Sequence, residues 1–194
     1  MILGREVEKR YGRKRVLRGV DIAVAAGGFA VVTGPNGSGK TTLLRLLAGL
    51  AVPSRGDLTV EVDRSRIGYL AHEPLVYREL TASENLDLFG RLYRMPERRE
   101  RIGMLLERFS LWDARNERVS TYSRGMLQRL ALCRTLLHEP HLLVLDEPYS
   151  ALDEDGAALL DRELEALVGV STVVVATHDP GRLEPFASGG LALA

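Results

Sequence analysis

Short apolar runs, separated by turns and amphipathic stretches, recur along the chain and predict its strands and helices. Residues 20–24 alternate apolar and polar side chains, as a half-buried strand does. Continuous apolar runs at 29–33, 142–145 and 172–177 predict buried strands, and 58–62 and 67–70 are two further predicted strands. Helices are predicted over 41–50 and 157–168. This alternation of strands and helices predicts an α/β fold with a mostly parallel sheet.

The middle of the chain has a different pattern from its two ends. Thr81 and Glu84 have the spacing of a capping box, in which a threonine side chain and a glutamate three residues later open a helix. Amphipathic stretches rich in arginine and glutamate then continue to about residue 111. This segment predicts a helical insertion in the α/β core.

Composition narrows the class of protein. The chain has 194 residues, of which 45% are hydrophobic and 27% charged, as in an ordinary globular domain. The 26 basic residues balance 26 acidic ones, so no basic excess favours a nucleic-acid partner, and we interpret the basic residues between 5 and 18 as a solvated surface. No apolar run approaches the roughly 18 residues that span a bilayer, so we do not expect this sequence to form a path through a membrane by itself. Cys133 lies in an apolar helical run and is predicted to be a core residue.

A glycine-rich loop follows the apolar run 29–33 and matches the complete phosphate-binding pattern known as Walker A. Its glycines allow backbone N–H groups to surround phosphate oxygens, and the helix N-terminus beyond adds partial positive charge. Lys40 can reach the β- and γ-phosphates, and Thr41 can place its hydroxyl on Mg²⁺. The candidate nucleotide-binding residues here are Gly34, Pro35, Asn36, Gly37, Ser38, Gly39, Lys40, Thr41 and Thr42.

Two acidic residues follow the apolar run 142–145, in the arrangement known as Walker B. Asp146 is a candidate Mg²⁺ ligand, and Glu147 is placed to polarise an attacking water. A positioned general base contributes roughly 10²–10⁴-fold in rate. Kinases and GTPases also carry phosphate-binding loops, so the loop alone predicts only nucleotide binding.

Further motifs narrow the family. The segment 122–126, Tyr-Ser-Arg-Gly-Met, resembles the Leu-Ser-Gly-Gly-Gln signature of ATP-binding-cassette (ABC) ATPases and precedes Asp146 at the spacing usual in that family. It departs from the usual glycine and glutamine at Arg124 and Met126 and keeps Ser123 and Gly125. The whole chain therefore resembles the ATP-hydrolysing subunit of an ABC transporter.

This resemblance implies roles for residues outside the two Walker motifs. His178 corresponds to the switch histidine that contacts the γ-phosphate, and Tyr11 to the aromatic residue that stacks on adenine, with Val16 adding an apolar contact. His72 takes the place of the usual Q-loop glutamine, which makes it a candidate Mg²⁺ ligand and introduces a group that titrates near neutral pH. The segment that resembles the D-loop, which crosses to a second subunit, is Ser150, Ala151, Leu152 and Asp153.

Two narrower resemblances concern the transported substrate. His72, Pro74 and the run 79–86 are similar to the haem-exporter ATPase of cytochrome c maturation. The form of the signature at 122–126 is similar to that of multidrug and lipid-type exporters. Haem or another small molecule is the substrate that these similarities imply.

The family resemblance implies a P-loop NTPase core with a mostly parallel sheet, an N-terminal antiparallel β subdomain and an inserted helical subdomain. It predicts one domain over 1–194, with 1–72 and 136–194 as the catalytic core and β subdomain and 73–135 as the helical and signature subdomain. Lys40, Glu147 and His178 are the predicted catalytic residues, and ATP and Mg²⁺ are the predicted cofactors.

The resemblance also predicts the setting in which the chain works. The expected partners are a second ATPase subunit, in a homodimer, and separate transmembrane permease subunits that hold the protein at the cytoplasmic face of the membrane; no nucleic acid is expected. Alternatives remain open: a regulatory module that hydrolyses little ATP, or a soluble ABC protein acting on DNA or ribosomes. A P-loop kinase would not need the signature and the D-loop.

Overall fold

Two β-sheets organise the chain in the computed structural model, which describes residues 1–193; Ala194, the last residue of the predicted domain, lies outside the described residues. The elements in chain order are β1 (Ile2–Tyr11), β2 (Lys14–Val24), β3 (Phe29–Thr33), α1 (Lys40–Leu47), β4 (Arg55–Val60), β5 (Ile67–Leu70), α2 (Ala82–Leu92), α3 (Arg98–Arg108), α4 (Arg124–Leu136), β6 (Leu142–Asp146), α5 (Glu154–Leu167), β7 (Thr172–Ala176) and β8 (Gly189–Ala192). Short 3₁₀ turns lie at Arg64–Arg66, Val119–Thr121 and Gly181–Leu183.

The sheet topology confirms the predicted α/β fold. The first sheet is antiparallel, with strand order β2-β1-β4, and the second has the order β5-β6-β7-β3-β8 with parallel pairing throughout. The central strands β3, β6 and β7 are buried on both faces: side chains alternate between the two faces along each strand, and nearly all of those in these strands are buried. In β6, Leu143 and Leu145 pack in the apolar cluster that contains α2, α3 and α4, whereas Leu142 and Val144 pack in the cluster that contains α1.

Several predicted boundaries move for local reasons. Helix α1 ends at Leu47 rather than 50, and Gly49 follows with φ 67°, a left-handed conformation that favours glycine. Helix α5 begins three residues earlier than predicted because the Asp153 side chain caps it by accepting from the Gly156 amide. Strand β8 was not predicted, since its Gly-Gly start has little strand propensity on its own.

The helical insertion has a capped first helix and a defined contact with the sheet. The capping box of α2 is formed, with the side chains of Thr81 and Glu84 each accepting a hydrogen bond from the other residue's backbone N–H. The partly buried guanidinium of Arg134 in α4 donates to the Tyr69 carbonyl of β5 at 3.0 Å. Helices α2, α3 and α4 share one apolar cluster with the sheet. The predicted division into a core of residues 1–72 and 136–194 and a helical subdomain of residues 73–135 therefore stays a prediction.

Within residues 1–193, no helix combines the length and the apolar character needed to cross a bilayer.

A buried histidine lies where the insertion meets β5. His138 is only 6% exposed, and its ring stacks on Tyr93 at a centroid distance of 3.9 Å with an interplanar angle of 5°. Nε2 lies 3.2 Å from the Ile67 carbonyl, while Nδ1 is buried with no hydrogen-bond partner among the described residues. Burial lowers the pKa of His138 to about 4, so the ring is neutral in the folded protein at neutral pH.

This buried ring makes stability depend on pH. The unfolded chain takes up a proton at His138 near pH 6.5 and the folded chain only near pH 4, so the free energy of unfolding falls as pH falls between these values. Between pH 7 and pH 5 we expect the wild type to lose about 1–2 kcal/mol more than His138→Gln, measured by urea denaturation. His141→Gln, which replaces an exposed histidine, is the control and should keep the wild-type dependence. Parallel curves for wild type and His138→Gln would contradict the assignment.

Candidate active site

Candidate functional residues converge at the edge of the parallel sheet where the carboxyl ends of its strands lie. The segments after β3, β5 and β6 meet the turn between β1 and β2 around a cleft of about 480 Å³. Its lining residues are Tyr11, Lys14, Val16, Pro35, Asn36, Gly37, Gly39, Lys40, Thr41, Thr42, His72, Asp146 and Glu147. The fold thus brings together residues from the two Walker motifs, the Q-loop position and the predicted adenine-binding position.

The phosphate-binding loop requires glycine at several positions. Gly34, Gly37 and Gly39 have φ values of 143°, 85° and 106°, which L side chains rarely adopt. A Cβ on Gly39 would also lie 2.6 Å from a methyl group of Leu17. The Lys40 ammonium donates to the Gly34 carbonyl at 2.6 Å and lies 3.9 Å from Glu147 Oε1. Its positive charge therefore lies between the loop and Glu147.

Thr41 and Asp146 supply two adjacent oxygen atoms. The Thr41 hydroxyl donates to Asp146 Oδ2 at 2.7 Å, and Asp146 is 2% exposed. Burial raises the pKa of Asp146, while the hydrogen bond from Thr41 and the nearby charges of His72 and Lys40 oppose that rise. No group of three or more histidine, cysteine or acidic side chains suited to a metal occurs within residues 1–193. Two protein oxygens nevertheless fit Mg²⁺, which takes most of its ligands from waters and phosphates.

Glu147 directs its carboxylate into the cleft through an unusual backbone conformation. Its φ is 48°, in the left-handed region that non-glycine residues seldom occupy, and its amide donates to the Ala176 carbonyl at 2.9 Å. Oε2 lies 2.9 Å from His178 Nδ1 and accepts from the Thr177 hydroxyl at 3.2 Å. Such strained residues occur where the surrounding structure holds them, often at active sites. The arrangement can orient a water molecule and stabilise negative charge.

The signature and the D-loop lie together, outside the residues that line this cleft. Ser123 caps α4 by accepting from the Met126 amide at 3.2 Å. A Cβ on Gly125 would lie 3.3 Å from the Ala151 carbonyl, so the two motifs are in close contact. Gln128 Nε2 donates to the Pro148 carbonyl at 2.9 Å and connects α4 to the segment after β6. One chain therefore assembles the Walker motifs without its own signature.

The hairpin between β1 and β2 adds an aromatic face and one residue that sequence reasoning missed. Tyr11 is 48% exposed, and the Lys9 ammonium lies 5.1 Å from its ring centroid. Lys14, assigned from the sequence to a solvated surface, pairs with Tyr11 across the turn and lines the cleft. The position of Lys14 between Tyr11 and Val16 in the sequence could have suggested that it lies near the nucleotide-binding cleft. Only the register of the hairpin places it in the cleft lining.

Comparison with known proteins points to one family. The pattern of the ABC transporter family matches residues 17–150. The chain is 43% identical over 181 residues to daunorubicin resistance ATP-binding protein DrrA3 of Streptomyces coeruleorubidus, covering 88% of this chain and 57% of that protein. It is 38% identical over 184 residues to Nod factor export ATP-binding protein I of Rhizobium meliloti (strain 1021), covering 89% of this chain and 55% of the relative. The chain thus spans little more than half the length of these relatives.

Solved structures share the fold. The dimeric structure of MJ0796, a bacterial ABC transporter cassette, superposes with a TM-score of 0.89 at 30% identity, covering 100% of this chain and 94% of that one. A dimeric post-hydrolysis state of the same cassette, bound to ADP and Pi, gives a TM-score of 0.88 at 28% identity, with the same coverage of both chains.

The pair of oxygens at Thr41 and Asp146 gives a test of metal binding. We expect Thr41→Val to weaken ATP binding in the presence of Mg²⁺ roughly tenfold, since a lost contact to a charged group of about 1.5 kcal/mol corresponds to that factor. Thr41→Ser keeps the hydroxyl and should bind like the wild type. Titration calorimetry with Mg²⁺ and with EDTA measures the effect; an equal loss for Thr41→Val in EDTA would show that the hydroxyl does not act through the metal.

Proposed function

The chain belongs to the ABC transporter family of ATP-binding proteins, and we propose that it binds and hydrolyses ATP to drive transport through separate membrane subunits. The observation that carries this proposal is the position of the Glu147 carboxylate, 2.9 Å from His178 Nδ1 and 3.9 Å from the Lys40 ammonium, at the cleft that Thr41 and Asp146 also line. These are the groups that positioning and electrostatic stabilisation of a transferring phosphoryl group require.

Each residue has a defined task in this proposal. Backbone N–H groups of residues 36–39 and the Lys40 ammonium hold the β- and γ-phosphates, and Tyr11 provides a face for the adenine ring. Thr41 and Asp146 would hold Mg²⁺, which would supply positive charge to neutralise the phosphate oxygens. Glu147 orients the attacking water and accepts its proton. His178 holds Glu147 in the nucleotide-free chain and then stabilises the charge that develops on the γ-phosphate.

The site is completed in this proposal by a second copy of the chain. Ser123 and Gly125 lie outside their own cleft but present the N-terminus of α4, whose partial positive charge suits a phosphate. A partner copy can bring these residues onto the bound nucleotide, which makes ATP part of the interface. The dimeric structures of the similar cassette support this arrangement.

The membrane subunits are proposed to dock on the helical insertion beside the Q-loop position. A cavity of about 590 Å³ lies between the insertion and the start of β5, and it is lined in part by Tyr93, Met95 and Met104. Leu75 lines a neighbouring pocket together with Tyr93, and Leu75, Tyr77 and Leu92 are 51%, 55% and 67% exposed. Exposed apolar residues grouped in this way are typical of protein interaction sites. Docking here would hold the protein at the cytoplasmic face of the membrane.

Export of a small organic molecule is the proposed transport activity. Its support is the identity of 43% and 38% to ATP-binding proteins named for daunorubicin resistance and for Nod factor export. The similarity to the haem-exporter ATPase at His72 and 79–86 stays a prediction from the sequence.

A regulatory role with little hydrolysis is the second candidate. The changed signature residues Arg124 and Met126 and the histidine at position 72 favour it, because each replaces a group that the family resemblance places at the nucleotide. Turnover measurements separate the two functions.

The principal test compares ATP turnover of the wild type and Glu147→Gln over a range of protein concentrations. Wild-type activity should rise faster than linearly with protein, and Glu147→Gln should lower kcat at least about 100-fold, as expected for loss of a general base. The variant should also dimerise with ATP in light-scattering measurements. Glu165→Gln, at an exposed position on α5, is the control and should leave turnover unchanged. Turnover that is linear in protein and insensitive to Glu147 would favour the regulatory role.

A further inference from the structure

A network of four side chains lies beside the catalytic groups without lining the cleft. The Tyr149 hydroxyl donates to Asp161 Oδ1 at 2.7 Å. Arg182 donates to Asp161 Oδ2 through Nη1 and to Glu154 Oε1 through Nη2, both at 2.7 Å. The Arg182 guanidinium carbon also lies 5.7 Å from the centre of the Tyr149 ring. Both carboxylate oxygens of Asp161 are therefore engaged, each by a different segment of the chain.

These segments are the two that carry the proposed catalytic pair. Tyr149 follows Glu147 by two positions at the end of β6, and Arg182 follows His178 by four at the end of β7. The β6–β7 ladder ends at the pair Asp146 and Ala176, so no ladder pair joins the two segments beyond that point. The network joins them again, so that Glu147, Tyr149, Asp161, Arg182 and His178 form a ring closed by the contact of 2.9 Å between His178 and Glu147.

We propose that Arg182 is a positioning residue: through Asp161 and Tyr149 it fixes the distance between the segments that carry Glu147 and His178. It does not touch the nucleotide in this proposal, since its guanidinium is bound to Asp161 and Glu154. The contact with Glu154 extends the network to the residue after Asp153, the last residue of the D-loop. The segment where a second subunit is proposed to bind is thereby connected to His178.

The chemistry of the network suits a permanent connection. Burial, followed by the hydrogen bond to Asp161, raises the pKa of Tyr149, and the hydrogen bonds to Glu154 and Asp161 raise the pKa of Arg182. The hydroxyl thus remains a donor and the guanidinium remains charged throughout the working pH range. A planar guanidinium can bridge two carboxylates, which a lysine ammonium does less well because it lacks the fixed fork of donors.

Stability alone does not account for this network. Arg182 and Asp161 are 34% and 28% exposed, and Glu154 is 82% exposed. Ion pairs with this degree of exposure contribute little to folding. Replacing Arg182 should therefore leave the chain folded and alter the geometry of the two catalytic segments. The kinetic part of the inference rests on the proposed hydrolysis at Glu147.

The kinetic test uses Arg182→Gln, Arg182→Lys and Tyr149→Phe in the full chain. We expect Arg182→Gln to lower kcat between about 10- and 100-fold, because small displacements of catalytic groups have effects of this size, while KM for ATP changes less than about twofold. Tyr149→Phe should lower kcat in the same direction, and Arg182→Lys should give an intermediate value. Arg108→Gln is the control. Arg108 lies on α3 and pairs at 3.4 Å with Glu163, which is on α5 like Asp161, and its replacement should leave kcat unchanged.

A double-mutant cycle distinguishes positioning of His178 from a general structural effect. In a His178→Ala background, Arg182→Gln should lower kcat by less than about twofold further, since the residue that it positions is already absent. If the two losses multiply in full, the proposal is overturned.

A second measurement does not depend on hydrolysis. The side-chain nitrogen resonances of the four histidines in the nucleotide-free chain can be recorded by NMR, and the His178 signals are identified by their loss in His178→Ala. Arg182→Gln should shift the His178 signals and leave those of His138 and His141 in place. Arg108→Gln should leave the signals of His138, His141 and His178 unchanged. Unchanged His178 signals would overturn the proposal. An inactive wild type would count against the proposed ATPase function, and the resonances would still decide whether Arg182 positions His178.

Discussion

The parallel ladder between β6 and β7 determines where the candidate catalytic groups of this protein lie. Its final pair joins Asp146 to Ala176, and the next residue, Glu147, donates its amide to the same Ala176 carbonyl at 2.9 Å. That hydrogen bond holds Glu147 at a φ of 48° and turns its carboxylate toward Thr177 and His178. A register shift of one residue would reverse the faces of β6 and separate these groups. The site therefore depends on backbone pairing between two strands whose buried side chains are mostly valine and leucine.

Burial around this ladder also sets the electrostatics of the site. Lys40 and Asp146 are 7% and 2% exposed, and charged groups are rarely buried to that extent without partners. The Gly34 carbonyl, Glu147 and the Thr41 hydroxyl are those partners. Because interactions are stronger where water is excluded, a few groups can act on phosphate and metal with little reorganisation. Two acids beside the phosphate-binding loop also explain why a nucleotide would need Mg²⁺ to approach them.

The signature lies apart from the cleft of its own chain, and this separation is the basis of the proposed dimer. The capped start of α4 and the D-loop contact each other through Gly125 and Ala151, and Gln128 attaches α4 to Pro148. Neither motif lines the cleft that contains the candidate nucleotide-binding residues of its own chain. The same segment after β6 thus carries the proposed catalytic glutamate at one end and the proposed subunit contact at the other. The proposed hydrolysis, the proposed dimer contact and the Arg182 network all involve residues between 147 and 161.

Local patterns in the sequence predicted the parts that depend on local physical chemistry. The glycines at 34, 37 and 39, the capping box at Thr81 and the strands at 29–33 and 67–70 could be identified because turn geometry, capping and side-chain patterning act over a few residues. Strand β8 could not, because its two glycines become a strand only by pairing with β3. The contact of Glu147 with His178, the place of Lys14 in the cleft and the ring through Arg182 were decided by tertiary structure. They join residues that the register of a hairpin or a parallel ladder brings together, and no short pattern in the sequence specifies that register.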